Sequence, residues 1–288
     1  MQAKKIDLLQ IHIAVLLFGV SGLFGKLVAL PAGLIVLGRV FFASVFLLLI
    51  LVYLRKNIKL NQRHHYVYLA AMGLILAVHW VTFFLSIQLS TVAIGLLTFS
   101  TFPVFVTFLE PYFFKERIRL ADILAAFLTL LGVMLVIPEF QLHNTITQGV
   151  VWGVISGFTY AVLSMLNRKF AGEYSGLVIA FYEQAAAAIL LLPLIFLYRQ
   201  PLVQANDILL IILLGIVFTG AAHSLFISGL KRIKTQTAGI ISCLEPVYGI
   251  IFALLLLQEI PTAREILGGL LIIGIVVYKS IDSGEPSP

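Results

Sequence analysis

The sequence predicts an all-α integral membrane protein, with ten transmembrane helices arranged as two inverted five-helix repeats. The first observation behind this is composition. Of the 288 residues, 61% are hydrophobic and 11% charged, and the mean hydropathy is +1.08. A soluble chain carries about 25% charged residues, so a water-soluble fold is excluded. The second is the presence of ten apolar runs, each of roughly 20 residues, the length that crosses a bilayer as a helix. The third is charge. Basic residues collect in alternate loops between those runs, fifteen on one side against two on the other.

The runs fall at 8–30, 34–54, 66–88, 91–114, 120–137, 148–167, 175–197, 206–229, 235–257 and 265–281. The first follows Lys4 and Lys5, yet it is too long for a signal peptide and no small-x-small cleavage site ends it. The second carries Arg39 and the third His79 and Trp80. The fourth contains Pro103 and Glu110. The sixth places Gly149, Gly153 and Gly157 on one face, where close packing is expected. The seventh holds Glu183 and Gln184, followed by the small residues Ala185–Ala188. His223 lies in the eighth, and Glu245-Pro246 interrupts the ninth within CLEPVYG. Stretches such as AILLLPLIFLY and GLLIIGIVVY do not alternate, which excludes a transmembrane β-barrel.

One set of loops holds Lys4, Lys5, Arg55, Lys56, Lys59, Arg63, Lys115, Arg117, Arg119, Arg168, Lys169, Lys231, Arg232, Lys234 and Lys279. The other holds Arg199 and Arg264. By the positive-inside rule both termini are expected in the cytoplasm. The formal charge of +6 is therefore a topology signal and predicts no nucleic-acid partner.

The chain also repeats itself. PVFVTFLEPYFFKE at 103–116 aligns with PVYGIIFALLLLQE at 246–259, an offset of 143 residues. At a similar offset, Arg39 and Arg55 match Glu183 and Arg199. Phe18-Gly19 with Lys26 matches Tyr160-Ala161 with Arg168, and Met72-Gly73 matches Leu214-Gly215. Residues 1–137 and 148–288 thus read as two copies joined by a short extracytoplasmic linker at 138–147. Five helices per copy is an odd number, so the copies are inverted, a construction that places substrate near the midplane between halves. This pairing sets Phe102, not Glu110, opposite Glu245.

The ten-helix inverted duplication resembles the drug/metabolite transporter superfamily, specifically its EamA-type members. The resemblance rests on LEPVYGIIFALLLLQE (244–259), FPVFVTFLEPYFFKE (102–116) and GRVFFAS (38–44). Within that family, FFLSIQLSTVAIGLLTF (83–99) is similar to bacterial threonine/homoserine exporters. The resemblance implies a substrate cavity between the first, third and fourth helices of one half and the sixth, eighth and ninth of the other. At Phe158-Thr159-Tyr160-Ala161 the chain departs from the tryptophan carried by many members, though Tyr160 keeps an aromatic ring there.

Charge at bilayer depth costs about 3 kcal/mol or more and marks a cavity or a partner. Glu245 is the central candidate, because Pro246 removes the amide that would bond the Ser242 carbonyl, leaving a polar notch beside the carboxylate. It can bind a proton or a substrate ammonium. His79 and His223 can titrate, and Trp80 can cover a cation. Arg39 can snorkel or act inside, and Lys26 is expected to snorkel. Tyr160, Phe102 and Tyr248 complete the candidate substrate site. Cys243 reads as a small buried residue. No HExxH or paired His/Cys spacing suggests a metal, and no cofactor is predicted.

The partners expected are a small-molecule substrate, the lipid bilayer and protons, with the protein a monomer or homodimer. A secondary exporter of a metabolite such as an amino acid, in the cytoplasmic membrane, explains the repeat and the intramembrane glutamate. A facilitator, channel or importer shares that architecture. An enzyme would need a nucleophile and base or a metal set at one depth, and the scattered His and Glu do not supply one.

Overall fold

The computed structural model describes residues 2–114, 120–136, 143–198, 203–233 and 235–282, and it is all-helical there. Lys115, Arg117, Arg119, Arg199, Lys234 and residues 138–142 of the expected linker 138–147 lie outside the described residues. The elements are α1 (Gln2–Ser21), α2 (Phe24–Leu27), α3 (Ala32–Tyr53), α4 (Arg63–Leu89), α5 (Val92–Phe99), α6 (Phe102–Phe114) and α7 (Leu120–Val136). They continue with α8 (Thr145–Phe170), α9 (Gly176–Leu191), α10 (Leu194–Leu197), α11 (Ala205–Gly215) and a π-helical turn (Ile216–Ala221). The last are α12 (Ala222–Gly229), α13 (Thr235–Ser242), α14 (Leu244–Leu257) and α15 (Ala263–Asp282). Eight stretches are long and apolar enough to cross a membrane, and the shorter apolar Ile123–Val136 accompanies them. The chain is a multi-pass membrane bundle.

Five of the runs read as continuous from sequence are broken. The break between α5 and α6 has a visible cause. Thr98, Ser100 and Thr101 each donate a side-chain hydroxyl to a carbonyl three or four residues back, at 2.7 to 2.8 Å, a local bond that bends helices. Between α13 and α14, Ser242 Oγ donates to the Ala238 carbonyl at 3.0 Å, and the chain turns at Cys243, three residues before Pro246. Pro193 cannot continue α9 and separates it from α10. The π turn is closed by Thr219, whose hydroxyl reaches the Leu214 carbonyl at 2.7 Å.

Packing runs mainly between the halves. α1 lies on α12 and α14, and α8 lies on α4, α5 and α6. α3 packs against α9, α11 and the π turn, α4 against α9, and α7 against α15. Glycine permits the closest crossings. A Cβ on Gly19 would sit 2.7 Å from the Glu245 carbonyl oxygen, and one on Gly73 would sit 2.7 Å from that of Glu183. Gly149, Gly153 and Gly157 bring α8 onto Ser86, Thr98 and Phe99 in the way their spacing predicts.

The two ends of the bundle differ. At one, the basic loops meet: Asn61 N donates to Tyr174 Oη at 3.0 Å, His65 Nδ1 lies 2.6 Å from that oxygen, and Arg232 pairs with Asp7 at 2.9 Å. At the other, carboxylates receive loop amides. Asp207 accepts from Ala29 N at 3.2 Å, and Glu259 accepts from Val92 N at 3.0 Å. Lys26 Nζ, exposed as expected, donates to the Ser90 carbonyl at 2.7 Å.

Candidate substrate cavity

The broken helices meet around a narrow cavity, with about 20 Å³ free for the centre of a water-sized sphere, lined by Phe18, Ser21, His79, Trp80, Phe83, Phe99, Tyr160, His223 and Glu245. It draws on α1, α4, α5, α8, α12 and α14, six elements from both halves. A soluble protein would have little reason to enclose such a mixture. In a bilayer, an ionisable group must face either a partner or a wet cavity.

Glu245 sits in the first turn of α14, where the break at Cys243 leaves backbone amides without intrahelical acceptors. Only 5% of it is exposed. Among the described residues no hydrogen bond or ion pair closer than 4 Å holds this carboxylate, but Arg39 and Glu245 lie within electrostatic reach of one another.

His79 is fastened to α8. Its Nδ1 lies 3.0 Å from the Ser156 carbonyl and 2.9 Å from Ser156 Oγ, and that hydroxyl donates to the His79 carbonyl at 3.1 Å. Since the hydroxyl proton goes to the carbonyl, Nδ1–H donates to Ser156 O, which leaves Nε2 as the acceptor nitrogen of a neutral ring. Tyr160 lies beside the ring, with centroids 4.8 Å apart. Phe99 and Phe102 stack at 5.3 Å and both contact Tyr160. The walls are therefore largely aromatic.

Arg39 is fully buried behind this wall. Its guanidinium carbon lies 3.9 Å from the centroid of Trp80, and Nε donates to Thr219 Oγ1 at 2.9 Å. The π turn supplies that oxygen, and Gly215 lets α11 ride on the Arg39 carbonyl. A desolvated cation on an indole face is worth about 2 kcal/mol. Trp80 also meets His223, edge-on at 5.7 Å, and His223 Nε2 is 2.7 Å from Glu183 Oε2. A buried row thus runs Arg39, Trp80, His223, Glu183.

Of the eight residues expected from sequence, Glu245, His79, Trp80, Tyr160 and His223 line the cavity. Phe102 backs Tyr160 and Arg39 backs Trp80. Tyr248 is not among the lining residues. It is half-buried, with its Cβ near Gly19 of α1. Sequence reasoning missed Phe18, Ser21, Phe83 and Phe99. Phe18 was discoverable, because it is the repeat mate of Tyr160. Cys243 is free and buried, as expected. No cluster of three or more His, Cys, Asp or Glu fit for a metal occurs among the described residues.

The family model described as "EamA-like transporter family" matches the chain twice, at residues 5–137 and 147–279. An uncharacterised transporter of Archaeoglobus fulgidus is 28% identical over 192 residues, covering 67% of this chain and 68% of its own. The uncharacterised transporter YxxF of Bacillus subtilis is 24% identical, covering 86% of this chain and 81% of its own. A solved crystal structure superposes with a TM-score of 0.68 at 18% identity, covering 100% of this chain and 99% of that one.

Proposed function

As a member of the EamA-like transporter family, this chain moves small molecules across a membrane, and we propose that its cargo is a small amphipathic metabolite, an amino acid or related amine. Export from the cytoplasm is by alternating access, coupled to protons. The carrying observation is the cavity itself. A single carboxylate, Glu245, faces Phe18, Phe83, Phe99 and Tyr160 at the junction of the two halves. A carboxylate among aromatic rings suits an ammonium attached to an apolar body. The histidine nitrogens supply further polar contacts.

The inverted repeat supports alternating access. α5 and α13 begin and end 143 residues apart, the offset that also relates Pro103 to Pro246, and the ends of α6 and α14 keep it. The packing has the matching symmetry: α1 on α12 and α14 answers α8 on α4, α5 and α6. Gly73 against Glu183 answers Gly215 against Arg39. In such a pair of interleaved halves, exchanging the conformations of the two copies turns the cavity from one side to the other. The excess of basic residues in alternate loops supports cytoplasmic termini for this reading.

The test is a panel of labelled amino acids and amines presented to proteoliposomes, with and without a pH gradient. Saturable counterflow of at least one amine-bearing compound is expected. Flux that never saturates would make the protein a channel, and no flux of any amine-bearing compound would remove this cargo class.

A further inference from the structure

Behind the cavity wall at His223 lies a buried ionisable pair. Glu183, on α9, is fully buried, and His223, on α12, is 1% exposed. Their Oε2 to Nε2 distance of 2.7 Å engages one imidazole nitrogen. The other, Nδ1, is buried with no hydrogen-bond partner, and the ring to which it belongs lines the cavity. An orphaned ring nitrogen costs free energy unless something visits it. The visitor must be small, since the atom is already enclosed.

We propose that Glu183 and His223 form a proton-binding site that opens on the cavity at His223 Nδ1. The site rests on the transporter reading and supplies its coupling proton. With Nε2–H donated to the Glu183 carboxylate, Nδ1 is the lone-pair nitrogen. A proton arriving from the cavity binds there and makes an imidazolium facing a carboxylate, a neutral pair. When it leaves, the pair carries one negative charge. Binding one ammonium at Glu245 adds one positive charge to the same low-dielectric space. Proton and ammonium therefore oppose each other, which is the condition for exchange. The groups that face the pair are Arg39 from α3 across Trp80, His79 from α4, Tyr160 from α8 and Glu245 from α14. Asn167 of α8 lies against Glu183, and among the described residues α1 contributes Phe18 and Ser21 to the cavity wall; none of these is an acid or base between about pH 5 and 8.

The decisive measurement needs no cargo. Purified protein labelled with ¹⁵N-histidine is titrated from about pH 5 to about pH 8, with the His223 signal assigned by its loss in His223→Asn. Nδ1 is expected to take up a proton as the pH is lowered, and Glu183→Gln is expected to change that response. Glu183→Asp keeps a carboxyl and should keep a titration, which separates loss of the acid from loss of the fold. An unchanging His223 ring, or the same curve in wild type and Glu183→Gln, overturns the proposal. In proteoliposomes carrying whichever compound the panel identifies, Glu183→Gln should lose stimulation by an imposed pH gradient, and full stimulation would also overturn it. The titration can fail while transport stands, and can stand while the cargo class fails.

Discussion

Glu245 and Arg39 have opposite charges in one buried region, yet they are held differently. Arg39 is pinned by an indole face and by Thr219, whereas the Glu245 carboxylate has no fixed partner among the described residues. Such a group is available to cargo. Glu245→Gln keeps shape and removes charge, so a charge-assisted contact worth about 2 kcal/mol is lost. Initial transport rates, normalised to inserted protein, are expected to fall at least about tenfold. Wild-type rates in that variant would remove Glu245 from the site. Arg39→Lys preserves charge but not the planar stacked cation. Its melting temperature in detergent is expected to fall despite the retained charge, and an unchanged value would show that the contact with Trp80 carries no stability.

Helix crossings are held at glycines, and the crossing of α1 over α14 is the one nearest the cavity. Gly19→Val must displace the backbone beside Glu245, where even a Cβ would meet the Glu245 carbonyl at 2.7 Å and Tyr248 Cβ at 2.9 Å. Both stability and transport are expected to drop. Gly274→Ala is the control. Nothing lies within 4 Å of a Cβ there, and replacing a helical glycine is worth about 0.5–1 kcal/mol in stability. At the end of the bundle away from the basic loops, burial pushes the Glu259 carboxyl up. The Val92 amide and Lys26 oppose this, and Glu265 adds to it. The fold thus favours the protonated acid, and its contribution to stability declines as pH rises from the ordinary carboxylate range through the raised value. Glu259→Gln still accepts from Val92 N and cannot ionise. Its melting temperature should exceed wild type near pH 7, with the difference vanishing near pH 4; a difference independent of pH would contradict this.

For the whole molecule, the arrangement predicts sidedness. Asn61 lies at the end where the basic loops gather, and His143 precedes α8 at the opposite end; both are exposed. Single cysteines at these two positions, in a Cys243→Ser background, are expected to react with an impermeant thiol reagent from opposite sides of the membrane. Labelling from one side would end the inverted-repeat reading.

Composition and periodicity determined that this chain is a helical membrane bundle, because bilayer length and internal hydrogen bonding leave few alternatives to runs of this kind. Local spacing also located the polar notch at Glu245, since a carboxylate beside proline in hydrocarbon is legible in one dimension. The breaks at Ser100–Thr101 and within Ile216–Ala221 were not legible, because each depends on side-chain bonds competing with the helix and on a neighbour to receive the result. Tertiary structure alone decided the partners. Arg39 and Glu183 could be read as intramembrane charges at matching repeat positions, but only folding places one on Trp80 and the other on His223. Tyr248 shows the same limit in reverse. It stands one turn from Glu245, yet the close approach of α1 puts it outside the cavity lining. Sequence spacing sets which face of a helix a residue occupies, and the packing of other helices decides whether that face meets cargo, a partner or lipid.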